Sequence, residues 1–377
     1  MKTSILPNDR PSAASSFVRL IREGAAPAFR LLARPSTLAQ IPRLLAEGLG
    51  PVRRMLIQAH NNREMARLAR QQAPVTILSS SARSGSTWIC YLLGDVLLQN
   101  QGIETTTELP IDPDTIIVHY YSKLIARRDT SAQTPGCMIR THDLIPQLQQ
   151  HIGGDPAVRK WRYLYMYRTP EDAMVSTFHL FRREKHLHSK NSHDIDLFCL
   201  EVLPGWIEHV KSYLDALDEG VEVHLVSYDQ LLRQTTVVLS ETLRWLGIPH
   251  TDATVARAHS NMLFAKLQAR EAKALEGRTP LFRRGYEKGF PYATQLRPGK
   301  VPFFRKGSEG AGRTELKPET LGKIRDATQD LFARANESLA RQSARHQSIR
   351  QEPPPAYLAE PDSRRGHAEV MPASNGR

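Results

Sequence analysis

Chemistry is most concentrated in Val75-Thr76-Ile77-Leu78-Ser79-Ser80-Ser81-Ala82-Arg83-Ser84-Gly85-Ser86-Thr87-Trp88. A short apolar run passes through small polar residues into a second apolar stretch that reaches Leu98, so a strand, a tight turn and a helix N-terminus are expected in succession. The first amides of a helix have no partner within it, and the helix dipole is positive there, so such a turn binds anions. Ser81, Ser84, Ser86 and Thr87 add hydroxyls, Gly85 allows close approach to the backbone, and Arg83 brings a full charge. The stretch reads as a phosphate cradle.

A nucleoside-triphosphate loop, G-x-x-x-x-G-K-[ST], fits this stretch poorly. Ser80 stands where its first glycine belongs and Ser86 where its lysine belongs. Triphosphate chemistry also needs an acidic residue after a second strand to hold Mg²⁺. The best second strand, Tyr163-Leu164-Tyr165-Met166-Tyr167, ends instead in Arg168. A cation there repels a metal and binds an anion directly, so the charge is expected to come from the protein, with no metal.

Apolar runs alternating with helical stretches position these residues, which is the pattern of a parallel α/β sheet. Strands are expected at Val75–Ser80, Thr115–His119, Cys137–Thr141, Tyr163–Tyr167 and Val221–Ser227. Helices are expected at Thr87–Asn100, Pro170–Phe181, Leu197–Leu217, Thr235–Leu246 and Pro318–Ala340, with Pro170, Glu171 and Asp172 suited to a first turn. Residues 275–313, rich in Gly, Pro, Arg and aromatics, read as a long loop over a site.

Five segments in order resemble the motifs of the cytosolic-type sulfotransferases. Ala82 to Trp88 is similar to P-K-S-G-T-T-W, and Ile139-Arg140-Thr141-His142 is similar to K-T-H. Arg168-Thr169-Pro170-Glu171-Asp172-Ala173-Met174-Val175-Ser176 is similar to R-N-P-x-D-x-x-V-S. Leu225-Val226-Ser227-Tyr228-Asp229 is similar to L-F-Y-E-D, and Phe304-Arg305-Lys306-Gly307 with Gly310 to R-K-G-x-x-G. The resemblance implies an α/β, P-loop NTPase-like three-layer fold with a central parallel sheet flanked by helices. It also implies transfer of the sulfonate of 3′-phosphoadenosine 5′-phosphosulfate (PAPS) to a hydroxyl or amine of an acceptor.

In that reading Arg83, Ser84, Gly85, Ser86 and Thr87 hold the 5′-phosphate, and Arg168, Ser176, Arg305, Lys306 and the amide of Gly307 hold the 3′-phosphate. Trp88 and Phe264 sandwich the adenine and Tyr228 reaches its edge. His142 is the general base, and Arg140, two residues earlier, is expected on the same face to stabilise the sulfonyl oxygens. Two family lysines are arginine here, Arg83 and Arg140. Arginine keeps the charge but cannot donate its proton, so Arg83 is expected to act electrostatically. Ala311-Gly312-Arg313 replaces the family's D-W-K, and its K-T-V dimer segment is not recognisable.

The remaining sequence sets bounds. The chain has 377 residues and a formal charge of +12, and residues 1–73 hold twelve Lys/Arg against four Asp/Glu, a net of +8. Three cysteines and the absence of a secretory signal or long apolar run point to a reducing, cytoplasmic setting. We expect residues 1–74 to be a basic helical extension, 75–345 the catalytic domain and 346–377 a disordered tail. The extension is expected to pack on the domain, with a membrane-surface segment or a targeting sequence as rivals. His179, His186, His188 and His193 crowd one stretch without a metal-ligand spacing and read as a polar rim. Arg283, Arg284 and Lys288 read as a solvated basic loop, with Tyr286 and Phe290 as acceptor-pocket candidates. Two rival functions are an ATP-using small-molecule kinase and a non-catalytic basic protein on nucleic acid or membrane; a nucleic-acid partner is not expected.

Overall fold

In the computed structural model, the residues described are 50–103, 117–121, 125, 136–183, 189–276 and 304–351. His186, His188, Arg283, Arg284, Tyr286, Lys288 and Phe290 lie outside them, as do residues 1–49 of the basic extension and 352–377 of the tail.

The chain opens with α1 (Gly50–Arg70), then β1 (Val75–Ser80), α2 (Ser86–Asn100), β2 (Val118–His119), β3 (Cys137–Thr141) and α3 (Ile145–His151). A 3-10 turn at Pro156–Lys160 leads to β4 (Arg162–Tyr167), α4 (Pro170–Arg183), α5 (Ile195–Asp218) and β5 (Val223–Ser227). There follow α6 (Tyr228–Arg233), α7 (Thr235–Leu246), α8 (Asp252–Asn261), α9 (Phe264–Leu275), α10 (Ala311–Glu315) and α11 (Pro318–Gln351). The expected strands and helices are present within a few residues at their ends, except that the last helix runs well past the expected Ala340. Those the pattern missed, α3, α6, α8, α9 and α10, are short or strongly polar. The α11 helix continues to Gln351, past residue 346 where a tail was expected, because no proline interrupts it before Pro353.

Among the described residues the sheet has the order β2-β3-β1-β4-β5, and every pairing is parallel. Strands buried on both faces need covering layers on both sides. Ile77, Ile139, Tyr163, Tyr165, Tyr167 and Leu225 point into one core with Val175, Phe198, Val210 and Ile324. Leu78, Met138, Leu164, Met166 and Val226 point into a second core with Ile89, Leu92, Leu239 and Val255. The result is the three-layer α/β arrangement expected. The far end of the basic extension joins it, since Met65, Leu68 and Ala69 of α1 are buried in the first core. Edge strand β5 is covered by α11, whose Gln342 amide bonds both the N–H (2.8 Å) and C=O (3.0 Å) of Leu225. No helix among the described residues is long and apolar enough to cross a membrane.

Parallel strands place all their C-terminal ends on one edge, and the loops there meet. The β1–α2 loop depends on Gly85, the α2 N-cap, at φ +96°. A Cβ at that position would lie 2.4 Å from the Tyr228 ring, just after β5. Gly85→Ala is therefore expected to destabilise the fold by about 1–3 kcal/mol, read as a lower urea midpoint with an unchanged slope.

Candidate functional site

At the carboxyl edge a cavity of about 330 Å³ is lined from seven separate stretches of chain. The β1–α2 loop contributes Arg83, Gly85, Ser86, Thr87 and Trp88, and β2 and the turn after β3 contribute His119 and His142. Arg168, Ser176 and Leu180 come from the end of β4 and from α4, Tyr228 follows β5, Phe264 starts α9, and Phe304 to Ser308 complete the wall. All the sequence-predicted site residues line this cavity except Ser84 and Arg140.

Ser84 is fully buried and its hydroxyl meets that of Ser81 at 2.7 Å, which closes the loop from behind. Arg140 is also buried; its Nη1 lies 3.5 Å from Thr87 Oγ1, and its charge acts on His142. It sits behind the cavity wall because β3 lies inside the sheet, with Leu78 of β1 beside Arg140 in register. The Thr87 contact supports the β1–α2 loop from behind.

The loop has no side-chain cap at the start of α2, so its first amides remain available to an anion. Arg83 occupies the left-handed region at φ +64°, a conformation that costs a non-glycine residue about 1–2 kcal/mol. Its Nε donates to Ser176 Oγ at 3.0 Å. The two anion motifs, separate in sequence, are therefore in contact.

Arg168 is buried among fixed partners. Its Nη2 donates to the Ser308 carbonyl at 2.9 Å, Asp172 lies 3.6 Å away, and its guanidinium sits 4.4 Å from the centre of the Tyr228 ring. Its Nε is buried with no hydrogen-bond partner among the described residues. Asp172 does more than complement a helix dipole. Its two carboxylate oxygens accept the amides of Gly310 and Gly312, each at 2.7 Å, and so bind the late glycine loop to the start of α4. Gly307 in that loop, at φ +59°, packs so closely that a Cβ would lie 2.2 Å from Phe264.

The aromatic residues correct one expectation. Trp88 and Phe264 meet edge to face, with 6.5 Å between centroids and 88° between planes. A flat base held between two parallel faces needs about 7 Å of separation and parallel rings. Trp88 is also fixed by its Nε1–H bond to the Met262 carbonyl at 2.8 Å, and it meets Tyr228 at 65°. The three rings form a corner with walls at steep angles, not a sandwich.

His142 opens to the cavity, and its Nδ1 lies 2.8 Å from the Ser80 carbonyl. A carbonyl only accepts, so Nδ1 carries the hydrogen and Nε2 keeps its lone pair. Although the residue meets solvent through the cavity, the protein packed around the ring desolvates it and lowers its pKa below 6.5. The Ser80 bond opposes that shift, while the Arg140 and Arg83 charges reinforce it. The His142 carbonyl accepts from His209 Nε2 at 3.1 Å, and His209 Nδ1 accepts from the Tyr165 hydroxyl at 3.1 Å. Burial drives the His209 pKa down to about 4, so this relay is neutral. Next to it, burial raises the Asp143 pKa, but bonds from His151, Thr141 and Tyr121 outweigh this and hold it low.

The sequence reading missed His119, Asp143, His209 and Glu315. His119 lies 6.5 Å, ring to ring, from His142. The one available signal for His209 was a polar residue on the apolar face of α5 between Trp206 and Val210. Glu315 binds Arg305 and Lys306, at 2.6 and 2.8 Å, so the two cations assigned to a phosphate already share a carboxylate. Among the described residues no group of three or more His, Cys, Asp or Glu could hold a metal ion.

The family model described as Sulfotransferase domain matches residues 73–336. Cytosolic sulfotransferase 7 of Arabidopsis thaliana is 23% identical over 271 residues, covering 68% of this chain and 78% of that protein. Flavonol 3-sulfotransferase of Flaveria bidentis is 23% identical over 263 residues, covering 66% and 78%. Of solved structures, mouse sulfotransferase SULT7A1 complexed with PAP superposes with a TM-score of 0.47 at 19% identity, covering 74% of this chain and 89% of that one.

The Asp172 contacts give a direct test. Asp172→Asn keeps the size of the side chain but turns a donor toward one glycine amide, and is expected to cost about 1–3 kcal/mol of stability. Faster hydrogen exchange at the Gly310 and Gly312 amides is the local readout.

Proposed function

This chain belongs to the sulfotransferase family, and from that membership we propose that it carries the sulfonate of PAPS to a hydroxyl, or an amine, of its acceptor with His142 as general base. The observation that carries the reading is the single cavity in which His142, the cations and the aromatic corner come together. PAPS, when bound, supplies a sulfonate on a good leaving group, so the protein's tasks are positioning, proton removal and charge stabilisation.

The residues fit that donor. It presents two phosphates on one nucleoside, and the cavity presents two linked anion sites. We assign the 5′-phosphate to Arg83, the amides after Gly85, and the Ser86 and Thr87 hydroxyls. The buried Arg168 Nε, Ser176, Arg305, Lys306 and the Gly307 amide are assigned to the 3′-phosphate. Trp88, Phe264 and Tyr228 give the adenine a corner to pack against. These fixed cations supply the positive charge, and the reading needs no metal.

His142 is suited to the proton step because Nδ1 is already committed to Ser80, which leaves Nε2 as the acceptor atom. As the acceptor's oxygen bonds to sulfur, the bond from sulfur to the 5′-phosphate oxygen would break and the acceptor's proton would pass to Nε2. The charge left on the 5′-phosphate meets Arg83, which stabilises it without protonating it.

The strand order further divides the cavity. Nucleotide motifs follow β1, β4 and β5, so the acceptor is expected on the other side of His142, over β3 and β2, where His119 stands. A cytoplasmic location is part of this proposal, by likeness to relatives named cytosolic.

Three measurements bear on it. His142→Ala is expected to lower kcat by at least about 100-fold while PAP (3′-phosphoadenosine 5′-phosphate) binds near normally by calorimetry; full activity would remove the base. The base must be neutral, and a depressed pKa keeps it neutral to lower pH, so the acid limb of kcat/KM should fall below pH 6.5. A limb above that value would contradict the assignment. Arg168→Ala should weaken PAP far more than AMP, by about tenfold or more; equal losses would take Arg168 out of the 3′-phosphate site.

A further inference from the structure

Arg305 and Lys306 are held by a side chain for which the proposed reaction has no role. Through one oxygen, Glu315 accepts from Arg305 Nη1 at 2.6 Å and from Lys306 Nζ at 2.8 Å. Through the other it meets His179 Nε2 at 2.6 Å. Burial alone would favour its neutral form, but these contacts outweigh burial and draw the Glu315 pKa down to about 2. The carboxylate is therefore always an anion at working pH. It is also fixed in place, because Asp172 anchors the Gly310 and Gly312 amides around the start of α10. Of the two cations Lys306 is the freer, since the Arg305 side chain is only 22% exposed. They sit on the segment before α10, both line the cavity, and the Lys306 side chain is 50% exposed.

An anion built into the protein thus takes the donors that an incoming phosphate needs. A phosphate monoester offers three acceptor oxygens and more charge than a carboxylate, so it can win both cations. The carboxylate stays tethered beside them and takes them back when the phosphate leaves. Building on the donor reading above, we propose that Glu315 is an internal competitor of the nucleotide 3′-phosphate. It yields Arg305 and Lys306 when a 3′-phosphorylated nucleotide binds and reclaims them as the desulfonated product departs. It therefore sets how long PAP stays and how strongly the site prefers PAP to AMP. AMP has no 3′-phosphate, leaves the three-way contact in place, and should be indifferent to Glu315.

The experiment is calorimetry of the full chain with PAP and with AMP, for wild type, Glu315→Gln and Glu315→Ala, together with stopped-flow release of PAP. Both variants are expected to bind PAP about three- to tenfold more tightly, mainly through slower release, with AMP changed by less than about twofold. The unchanged AMP affinity also certifies that the variant site is folded. In an Arg305→Ala/Lys306→Ala background, Glu315→Gln should leave PAP affinity where it was. Weaker or unaltered PAP binding in the single variants overturns the proposal and makes Glu315 a scaffold for the two cations. A wild-type chain that binds PAP no better than AMP would overturn the donor reading itself, which is a different failure.

Discussion

The Asp172 carboxylate is the contact on which the site's geometry depends. It is buried, faces Arg168, and receives two backbone amides from residues about 140 positions later in the chain. A buried charge is tolerated only when its lone pairs are satisfied, and here two amides and a guanidinium satisfy them. In return, the glycine-rich segment that enters α10 is held against the start of α4. That bond and the Arg168–Ser308 contact together fix the wall formed by Phe304 to Ser308 against the end of β4. The cavity is therefore a consequence of one satisfied carboxylate as much as of the sheet beneath it.

The sheet supplies the other constraint. Its parallel strands bring five loops to one edge, and close packing between them leaves little latitude. Gly85 touches the Tyr228 ring, Tyr228 lies under the Arg168 guanidinium, and Arg168 reaches the Ser308 carbonyl. Each link joins a different loop. Arg83 adds a link from the β1–α2 loop to α4 and does so in a left-handed conformation. Backbone strain at that residue is offset by the contacts that hold it, a pattern common at ligand-binding turns.

His142 owes its state to neighbours on both sides of its own peptide. The Ser80 carbonyl selects the tautomer, and the neutral His209 holds the carbonyl that follows the ring. One restraint comes from within the sheet, from β1, and the other from α5 packed on it. An imidazole fixed in this way, with its pKa lowered by desolvation and two nearby arginines, is held toward its neutral form near neutrality, the form the proposed proton step needs.

How much of this was written in the order of residues follows from the range of each interaction. The strands at Val75–Ser80, Cys137–Thr141 and Tyr163–Tyr167, and the helices beginning near Thr87 and Pro170, follow from local apolar runs, and the structure has them. The hydroxyls, glycine and charge of Ser81–Trp88, on which the proposed phosphate site rests, were equally legible because they lie within a few residues of one another, and so was the cation at Arg168. Side-chain angles and partners were not. Trp88 and Phe264 stand 176 positions apart, and only the docking of α9 sets their planes at 88°. Arg140 follows the alternation of its strand as expected, yet neighbouring strands bury it behind Thr87. His209 and Glu315 carry no motif, since a polar residue on a helix announces nothing until another element is laid against it. Short-range pattern was enough to name the ligand chemistry. Which charges stand free to perform it was decided by contacts between loops far apart in the chain, whose geometry no local periodicity encodes.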